Sequence, residues 1–165
     1  MGIEPKLQPL DLGGFLRSIQ DDLALESEAR DISISISLPA GLAINADARL
    51  LRSALVNLVS NAIKFSREGS NIELGARLDD GQVIIDVADG CGGLPAGKAE
   101  ELFAPLVQRN EDRSGYGLGL AIALQAAAAH AGTIKLRDVP GHGCVFSIVL
   151  PGPALVTRSA DDEIR

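Results

Sequence analysis

The sequence of 165 residues is poor in the residues that several large classes of protein need. It contains no tryptophan, one tyrosine and four phenylalanines, so it lacks the aromatic surfaces on which single-stranded nucleic acids stack. Its net charge of −7 argues against a broad phosphate-binding surface for DNA or RNA. We therefore expect no nucleic-acid partner, and any anion that binds must be held locally.

Cysteines and long apolar runs are also scarce. Cys91 and Cys144 are far apart in the sequence and neither has a second thiol nearby, which excludes a disulfide framework and a zinc knuckle. No stretch approaches the roughly 18 apolar residues of a membrane helix, and the first residues lack the apolar core of a signal peptide. These absences predict a cytoplasmic domain that makes no contact with a membrane.

What is present is enough apolar material for one compact core. Hydrophobic residues make up 46% of the chain and charged residues 22%, a balance that is typical of a single globular domain of this length. We expect the folded domain to cover residues 10–150. Residues 1–9 are expected to be the remnant of a linker, and residues 151–165 a flexible tail.

The hydrophobic patterning predicts an α+β fold. Helical spacing or composition alternates with strand patterns, and Asp47 is placed to cap a helix. The expected elements are a helix over 10–29, a strand over 31–38, an extended piece over 42–45, a helix over 47–65, a hairpin over 71–88 that turns at Asp79-Asp80-Gly81, a short helical stretch over 98–103, a helix over 117–131 and a hairpin over 133–150. This order favours a two-layer α/β sandwich with a mixed, mostly antiparallel sheet and helices packed on one face.

The long loop between Asp89 and Tyr116 is rich in glycine and is expected to be functional. Two of its glycine patterns imitate well-known phosphate-binding motifs. The segment from Gly92 to Ala99 fails as a P-loop, because the residue that should hold Mg²⁺ is Ala99 rather than Ser or Thr. The segment from Gly115 to Gly119 fails as a dinucleotide fingerprint, because it lacks the third glycine and follows a polar loop.

Three other features are candidates for a binding site. Asn57, Asn61 and Lys64 share one face of the 47–65 helix, where amide oxygens can ligate Mg²⁺ and the ammonium can meet a phosphate. The alternative for this stripe is an ordinary solvent-exposed face. Asp89 ends a strand and can accept an N–H group, or it belongs to a plain turn. Gly115, Gly117 and Gly119 lie at the start of a helix, whose free N–H groups favour anions.

In this order the motifs resemble those of the nucleotide-binding domain of bacterial sensor histidine kinases, in the superfamily that includes gyrase and MutL-type ATPases. The segment from Leu55 to Phe65 resembles the N box of the family, and the segment from Asp89 to Pro95 its first glycine box. The segment from Leu102 to Leu106 resembles the F box, and that from Gly115 to Leu120 the second glycine box. Four boxes in the right order make the resemblance specific.

The resemblance implies ATP and Mg²⁺ as cofactors and assigns roles to individual residues. Asn61, with Asn57, would coordinate Mg²⁺, Lys64 would touch a phosphate, and Asp89 would accept the adenine amino group. Residues 104–116 would form a mobile lid over ATP. The implied catalytic residues are Asn57, Asn61 and Lys64, and the implied nucleotide-binding residues also include Phe65, Asp89, Gly93, Leu94, Gly115, Tyr116, Gly117, Leu118 and Gly119. Cys91 stands where the family usually has glycine.

One position separates branches of this superfamily. Gyrase, MutL-type and anti-sigma-factor relatives carry a glutamate four residues before the metal-binding asparagine, and in the hydrolases it is the general base that activates water. Here that residue is Asn57, which favours phosphoryl transfer to a protein. The expected function is transfer of the ATP γ-phosphoryl group to a histidine on a separate dimerisation domain, with a response regulator downstream.

Neither histidine of this chain has the acidic neighbour of the family's acceptor, so His130 and His142 are expected to be structural. The alternatives are a nucleotide-sensing or protein-interaction module without catalysis, and a serine kinase of the anti-sigma-factor type.

Overall fold

The computed structural model describes residues 4–89, 117–139, 143–152 and 155–156. Within these ranges helices and strands are mixed along the chain. The helices are α1 (Leu12–Asp22), α2 (Ala24–Ala29), α3 (Ala48–Phe65) and α4 (Gly117–Ala129). The strands are β1 (Gln8–Asp11), β2 (Ser33–Ser37), β3 (Leu42–Ala46), β4 (Asn71–Asp79), β5 (Gln82–Ala88), β6 (Thr133–Val139), β7 (Gly143–Leu150) and β8 (Leu155–Val156). No helix in the described ranges is long and apolar enough to cross a membrane.

Five strands form the main sheet in the order β2-β4-β5-β7-β6. The pair β2 and β4 is parallel, and the other neighbours are antiparallel, so the expected mixed, mostly antiparallel sheet is confirmed. The hairpin of β4 and β5 turns at Asp80 and Gly81, with φ values of 51° and 80°. Both residues of a type I′ turn need positive φ, which is why an Asp-Gly step suits this turn.

The helices pack on one face of this sheet, and the core lies between the two layers. Alternate residues of each strand point into that layer, where they meet the apolar stripe of α3 and the largely apolar helix α4. The buried residues of the interface include Ile72, Leu74, Ile85, Val87, Phe146 and Ile148 from the sheet and Leu51, Leu55, Leu58, Ala62, Leu120, Ala123 and Ala127 from the helices. The two-layer sandwich expected from the sequence is confirmed.

A second, three-stranded sheet extends the folded unit beyond residues 10–150. Its order is β1-β3-β8, and β1 starts at Gln8, inside the segment expected to be a linker. Strand β8 lies inside the segment expected to be a flexible tail, and Leu155 pairs there with Ala43. Both strands hydrogen-bond to β3, because β3 would otherwise leave two edges open.

The first helix is shorter than the sequence predicts, since the 10–29 segment divides into β1, α1 and α2. Asp11 caps α1 by accepting the N–H of Gly14 at 3.2 Å. The helix ends at Asp22, where two adjacent aspartates oppose the helix dipole. Leu23 is buried, whereas Leu25 is 84% exposed, so the apolar stripe does not continue from α1 into α2.

Candidate functional site

Helix α3 carries the asparagine stripe, and both of its ends are fixed by hydrogen bonds. At the start, Asp47 Oδ1 accepts the N–H groups of Arg49 and Leu50, each at 3.1 Å, and Oδ2 accepts that of Lys6 at 2.8 Å. The bond from Lys6, followed by those from Leu50 and Arg49, lowers the pKa of the Asp47 carboxyl, because such bonds favour the charged form. At the other end, Arg30 donates to the carbonyl oxygens of Ile63 and Lys64.

The buried stripe of α3 determines how the helix is rotated. Leu51, Leu55 and Leu58 are at most 1% exposed and face the core. Asn57 and Asn61 consequently lie at the border of that buried face, and both are partly buried. The sequence pattern located these two amides, and their rotation follows from the burial of the leucines beside them.

The first turns of α4 lie directly against the two asparagines. A Cβ atom added to Gly119 would lie 2.9 Å from Asn61 Nδ2 and 3.4 Å from Asn57 Oδ1. Glycine at this position therefore serves close approach rather than an unusual backbone angle. The structure thus brings together three residues singled out in the sequence, Asn57, Asn61 and Gly119, from two different helices.

The two amides differ in their hydrogen bonding. Asn57 Nδ2 donates to the carbonyl oxygen of Ser53 at 2.6 Å. This bond fixes the orientation of the amide, so that Oδ1 lies on the side of Gly119. Asn61 Nδ2 is shielded from solvent and has no hydrogen-bond partner among the described residues. A buried donor without an acceptor costs about 1–3 kcal/mol, so this atom marks a place where a ligand acceptor would fit.

The site suits a cation held together with an anion. Amide oxygens are hard ligands of the kind that Mg²⁺ prefers, and Mg²⁺ is commonly shared with the phosphates of a substrate. The buried N–H group of Asn61 and the N-terminal N–H groups of α4 can donate to phosphate oxygens. No group of three or more His, Cys, Asp or Glu side chains in the described ranges is placed to hold a metal. The two amide oxygens of Asn57 and Asn61 would fill only part of the coordination sphere of Mg²⁺.

Lys64 and Phe65 close the stripe at the C-terminal end of α3. Lys64 is exposed, and its Nζ lies 5.5 Å from the centre of the Phe65 ring. The ammonium therefore leans on an aromatic face, where a cation is favoured. This arrangement keeps the positive charge at the surface on the same side of α3 as the asparagines.

Asp89 follows β5 and is held in place by β7. It is 7% exposed. Its Oδ1 accepts the N–H of Cys144 at 3.0 Å, and its own N–H donates to the Cys144 carbonyl oxygen at 2.9 Å. Two bonds to one residue fix both the backbone and the carboxylate. A buried carboxylate with one oriented oxygen can recognise an amino group of a ligand.

The sequence analysis missed the two residues that hold Asp89. Gly143 has a φ of 145°, and a Cβ atom there would lie 2.0 Å from the Asp89 carbonyl oxygen. Only glycine combines that backbone angle with such close contact. The glycines of the Gly141-His142-Gly143 segment are visible in the sequence, but nothing local connects this segment with a residue so far away in the chain.

The remaining site residues predicted from the sequence lie outside the described residues. These are Gly93, Leu94, Gly115 and Tyr116, and the lid over residues 104–116 lies there as well. For Gly117 and Leu118 the structure gives the helical backbone of α4.

An open depression of about 300 Å³ lies on the opposite face of the sheet. Two of its polar residues bind each other, since Arg77 Nε donates to Asp86 Oδ2 at 2.9 Å, and Asp86 Oδ1 also accepts the hydroxyl of Ser147 on the neighbouring strand. Nothing comparable to the buried donor of Asn61 is found there among the described residues. The candidate site is therefore the one formed by α3 and α4.

The chain is similar to known proteins in both sequence and structure. The family model of histidine kinase-, DNA gyrase B- and HSP90-like ATPases matches residues 46–154. The sensor-like histidine kinase SenX3 of Mycobacterium tuberculosis is 33% identical over 163 residues, which is 96% of this chain and 39% of SenX3. The alginate biosynthesis sensor protein KinB of Pseudomonas aeruginosa is 33% identical over 88% of this chain and 25% of KinB. The chain thus spans less than half the length of these relatives.

Two solved structures show the same fold. Full-length ShkA, solved in complex with AMPPNP, has a TM-score of 0.82 and 30% identity over 95% of this chain and 33% of that chain. The nucleotide-free catalytic domain of histidine kinase ThkA has a TM-score of 0.77 and 22% identity over 88% of this chain and 95% of that domain. The chain therefore belongs to the family of histidine kinase-, DNA gyrase B- and HSP90-like ATPases, and its relatives in sequence are sensor histidine kinases.

Proposed function

We propose that this chain is the catalytic domain of a sensor histidine kinase, which binds Mg·ATP and transfers the γ-phosphoryl group to a histidine of a separate dimerisation domain. The observation that carries the proposal is the contact of Asn57 and Asn61 with Gly119. This contact places amide oxygens, a buried donor and a helix N-terminus side by side. The ShkA complex with AMPPNP supports an adenine nucleotide as the ligand.

Each described residue of the site has a defined task in this proposal. Asn61 and Asn57 hold Mg²⁺ through their side-chain oxygens, and the N-terminal N–H groups of α4 bind phosphate oxygens. Lys64 adds positive charge next to the phosphates. Asp89, oriented by Cys144, accepts the amino group of adenine. Bound Mg²⁺ would neutralise charge on the phosphates, which is the main form of catalysis in phosphoryl transfer.

The residues of α3 favour transfer to a protein over hydrolysis. The helix contains neither aspartate nor glutamate, and Asn57 stands where hydrolases of the superfamily have their base. An amide does not take up a proton at neutral pH, so α3 offers no general base to activate water. In this proposal the nucleophile comes from another domain or another chain.

His130 is not suited to be the phosphoryl acceptor. It is 8% exposed, and both ring nitrogens lie within hydrogen-bond distance of backbone atoms. The acceptor is therefore a histidine of the dimerisation domain, and a response regulator receives the phosphoryl group from it. In this role the domain works in the cytoplasm, where ATP is available.

The roles of Asp89 and Asn61 can be tested by calorimetry with two ligands. Asp89→Asn should weaken the binding of ATP and of adenosine to the same extent, because it removes the contact with the adenine ring. Asn61→Ala should weaken Mg·ATP by about 10- to 100-fold, the loss expected for a bond to a charged group, and leave adenosine binding unchanged. Asn45→Ala, an exposed asparagine on β3, is the matched control. Equal losses of both ligands in both site variants would contradict these roles.

The reaction itself is tested with and without an acceptor. The chain alone should bind ATP but release phosphate scarcely above background. Addition of a dimerisation domain with an acceptor histidine should produce acid-labile phosphohistidine. Robust Mg²⁺-dependent phosphate release without an acceptor would mean that another base exists, and the domain would be an ATPase. Binding without either reaction would favour a nucleotide-sensing module.

A further inference from the structure

A single imidazole connects the end of α4 with the start of α3. The Nδ1 atom of His130 lies 2.8 Å from the carbonyl oxygen of Ala126, and Nε2 lies 2.9 Å from the backbone nitrogen of Asp47. A carbonyl oxygen accepts and a backbone N–H donates, so Nδ1 carries the proton and Nε2 offers its lone pair. The neutral ring in this one tautomer satisfies both contacts, and the imidazole is held in a defined orientation.

The two helix ends at this contact are capped by other groups than the His130 side chain. Asp47 caps α3 with its carboxylate, while its own N–H goes to His130. At the end of α4, Ala131 has a φ of 59° and Gly132 donates to the Ala127 carbonyl oxygen at 2.8 Å, which is a Schellman-type ending. His130 is therefore the direct hydrogen-bonded connection between two well-fixed ends.

The same two helices form the candidate site at their other ends. His130 and Gly119 are separated by about 16 Å along α4 at 1.5 Å per residue, and Asp47 and Asn57 by about 15 Å along α3. The helices are thus antiparallel and in register between the two contacts. The packing at Gly119 is tight, since a Cβ atom added there would lie 2.9 Å from Asn61 Nδ2. A small shift of α4 along α3 would change the distances at Asn57 and Asn61.

We propose that His130 is a positioning residue of the nucleotide site, which fixes the register of α4 on α3 through the Asp47 N–H and so sets the distance between Gly119 and the two asparagines. The inference rests on the proposed function where ATP is concerned. It assigns to a histidine at the far end of the helix pair an effect on nucleotide affinity, although His130 itself does not touch the site.

Two substitutions distinguish the role of the His130 Nε2 acceptor from that of the rest of the imidazole ring. In His130→Gln, the side-chain oxygen has the same number of bonds from Cβ as Nε2 and can still accept the Asp47 N–H. In His130→Asn, the amide ends at the position of Nδ1, so only the contact with Ala126 can remain. Each variant is also combined with Ala131→Gly. Because Ala131 has a φ of 59°, which favours glycine, this change stabilises the end of α4 in a variant that has lost a contact there.

The first measurement uses the nucleotide-free protein and so does not depend on ATP binding. Nuclear magnetic resonance follows the Gly119 N–H and the Asn61 side-chain amide. His130→Asn should shift both resonances, and His130→Gln should restore them to their wild-type positions. Unchanged resonances in a folded His130→Asn protein, or equal shifts in both variants, would overturn the proposal, because the role would then be packing alone.

The second measurement is the dissociation constant of Mg·ATP. We expect a rise of about five- to tenfold in His130→Asn, at the lower end of typical coupling between sites, and a value within about twofold of wild type in His130→Gln. Equal affinity of wild type and folded His130→Asn would overturn the inference. Failure of the wild type to bind ATP would instead overturn the proposed function, and the resonance measurement would still decide the role of His130.

Discussion

The two ends of the α3–α4 pair differ in how their polar groups are hydrogen-bonded. At the end with Asp47 and His130, backbone donors, carboxylate and imidazole are joined by hydrogen bonds. At the end with Asn57, Asn61 and Gly119, a buried amide nitrogen has no partner among the described residues, and a glycine replaces any side chain. The first end stabilises the fold, and the second lacks a group that a ligand can supply.

This difference explains how one helix pair supports both stability and binding. A buried polar group without a partner reduces stability and is tolerated where function requires it. The cost at Asn61 is offset by the well-bonded end about 21 Å away along α3. The same chemical change should therefore have different effects at the two ends, and glycine-to-alanine substitutions provide a matched comparison.

The largest effect is expected at the hydrogen-bonded end. In Gly132→Ala the new Cβ atom would lie 2.2 Å from the Val149 carbonyl oxygen, which belongs to the backbone of β7 and cannot move without disturbing the sheet. We expect a loss of about 3 kcal/mol in the free energy of unfolding, at the upper end for overpacking. Urea denaturation measures it. A loss below about 1 kcal/mol would show that the end of α4 can move away from β7.

The elements with local signals could be predicted from the sequence, and those made by distant contacts could not. Helix α3 was predicted with its cap at Asp47, and the hairpin was predicted from its Asp-Gly turn, because capping and turn chemistry depend on adjacent residues. The pairing of β8 with β3 and the bond from Asp47 to His130 involve residues far apart in the chain. Periodicity and composition carry no information on such partners.

The candidate site shows the same division. The asparagine stripe and Asp89 were identified from residue type and spacing. Their surroundings were not, since Cys144 was interpreted only as an unpaired thiol and Gly143 was given no part in the site. Both hold Asp89 through backbone contacts, and a backbone contact can be made by almost any residue type. Chemistry-bearing side chains are therefore visible in the sequence, whereas the backbone that orients them is not.

An intermediate effect is expected at the site end. In Gly119→Ala the new Cβ atom meets Asn61 Nδ2 at 2.9 Å, the end of a side chain that can turn away. Alanine also favours the helix by up to about 1 kcal/mol, so the free energy of unfolding should change by less than about 1 kcal/mol. The affinity for Mg·ATP should fall by about tenfold, because the displaced amide loses its bond to a charged group. Calorimetry and urea denaturation on one preparation measure both.

The comparison with Gly132→Ala makes this result decisive. Both variants add one methyl group, at opposite ends of the helix pair. Gly119→Ala should lose affinity without losing stability, and Gly132→Ala should show the reverse ranking. If Gly119→Ala lost several kcal/mol of stability and its folded fraction bound ATP normally, the two ends would not differ in the way described.

The smallest effect concerns the charge of Asp47. Its pKa is lowered in the folded protein from the ordinary value of 3.8, so the stabilisation is fully present above that value. It is lost as the pH falls through the lower folded-state pKa. In Asp47→Asn the side-chain oxygen still caps α3, since asparagine is a good N-cap residue, but the nitrogen cannot accept the Lys6 N–H. The variant should therefore be slightly less stable than wild type at neutral pH.

Urea denaturation of wild type and Asp47→Asn is measured at about pH 6 and about pH 3. The difference between the two proteins isolates the contribution of the Asp47 charge, because the other carboxylates contribute equally to both. The stability difference between wild type and Asp47→Asn should be present at the higher pH and should shrink at the lower one. The Kd of Mg·ATP at neutral pH should stay within about twofold of wild type, because His130 can still accept the Asp47 N–H and keep the register. A stability difference that is the same at both pH values would mean that the Asp47 charge does not contribute.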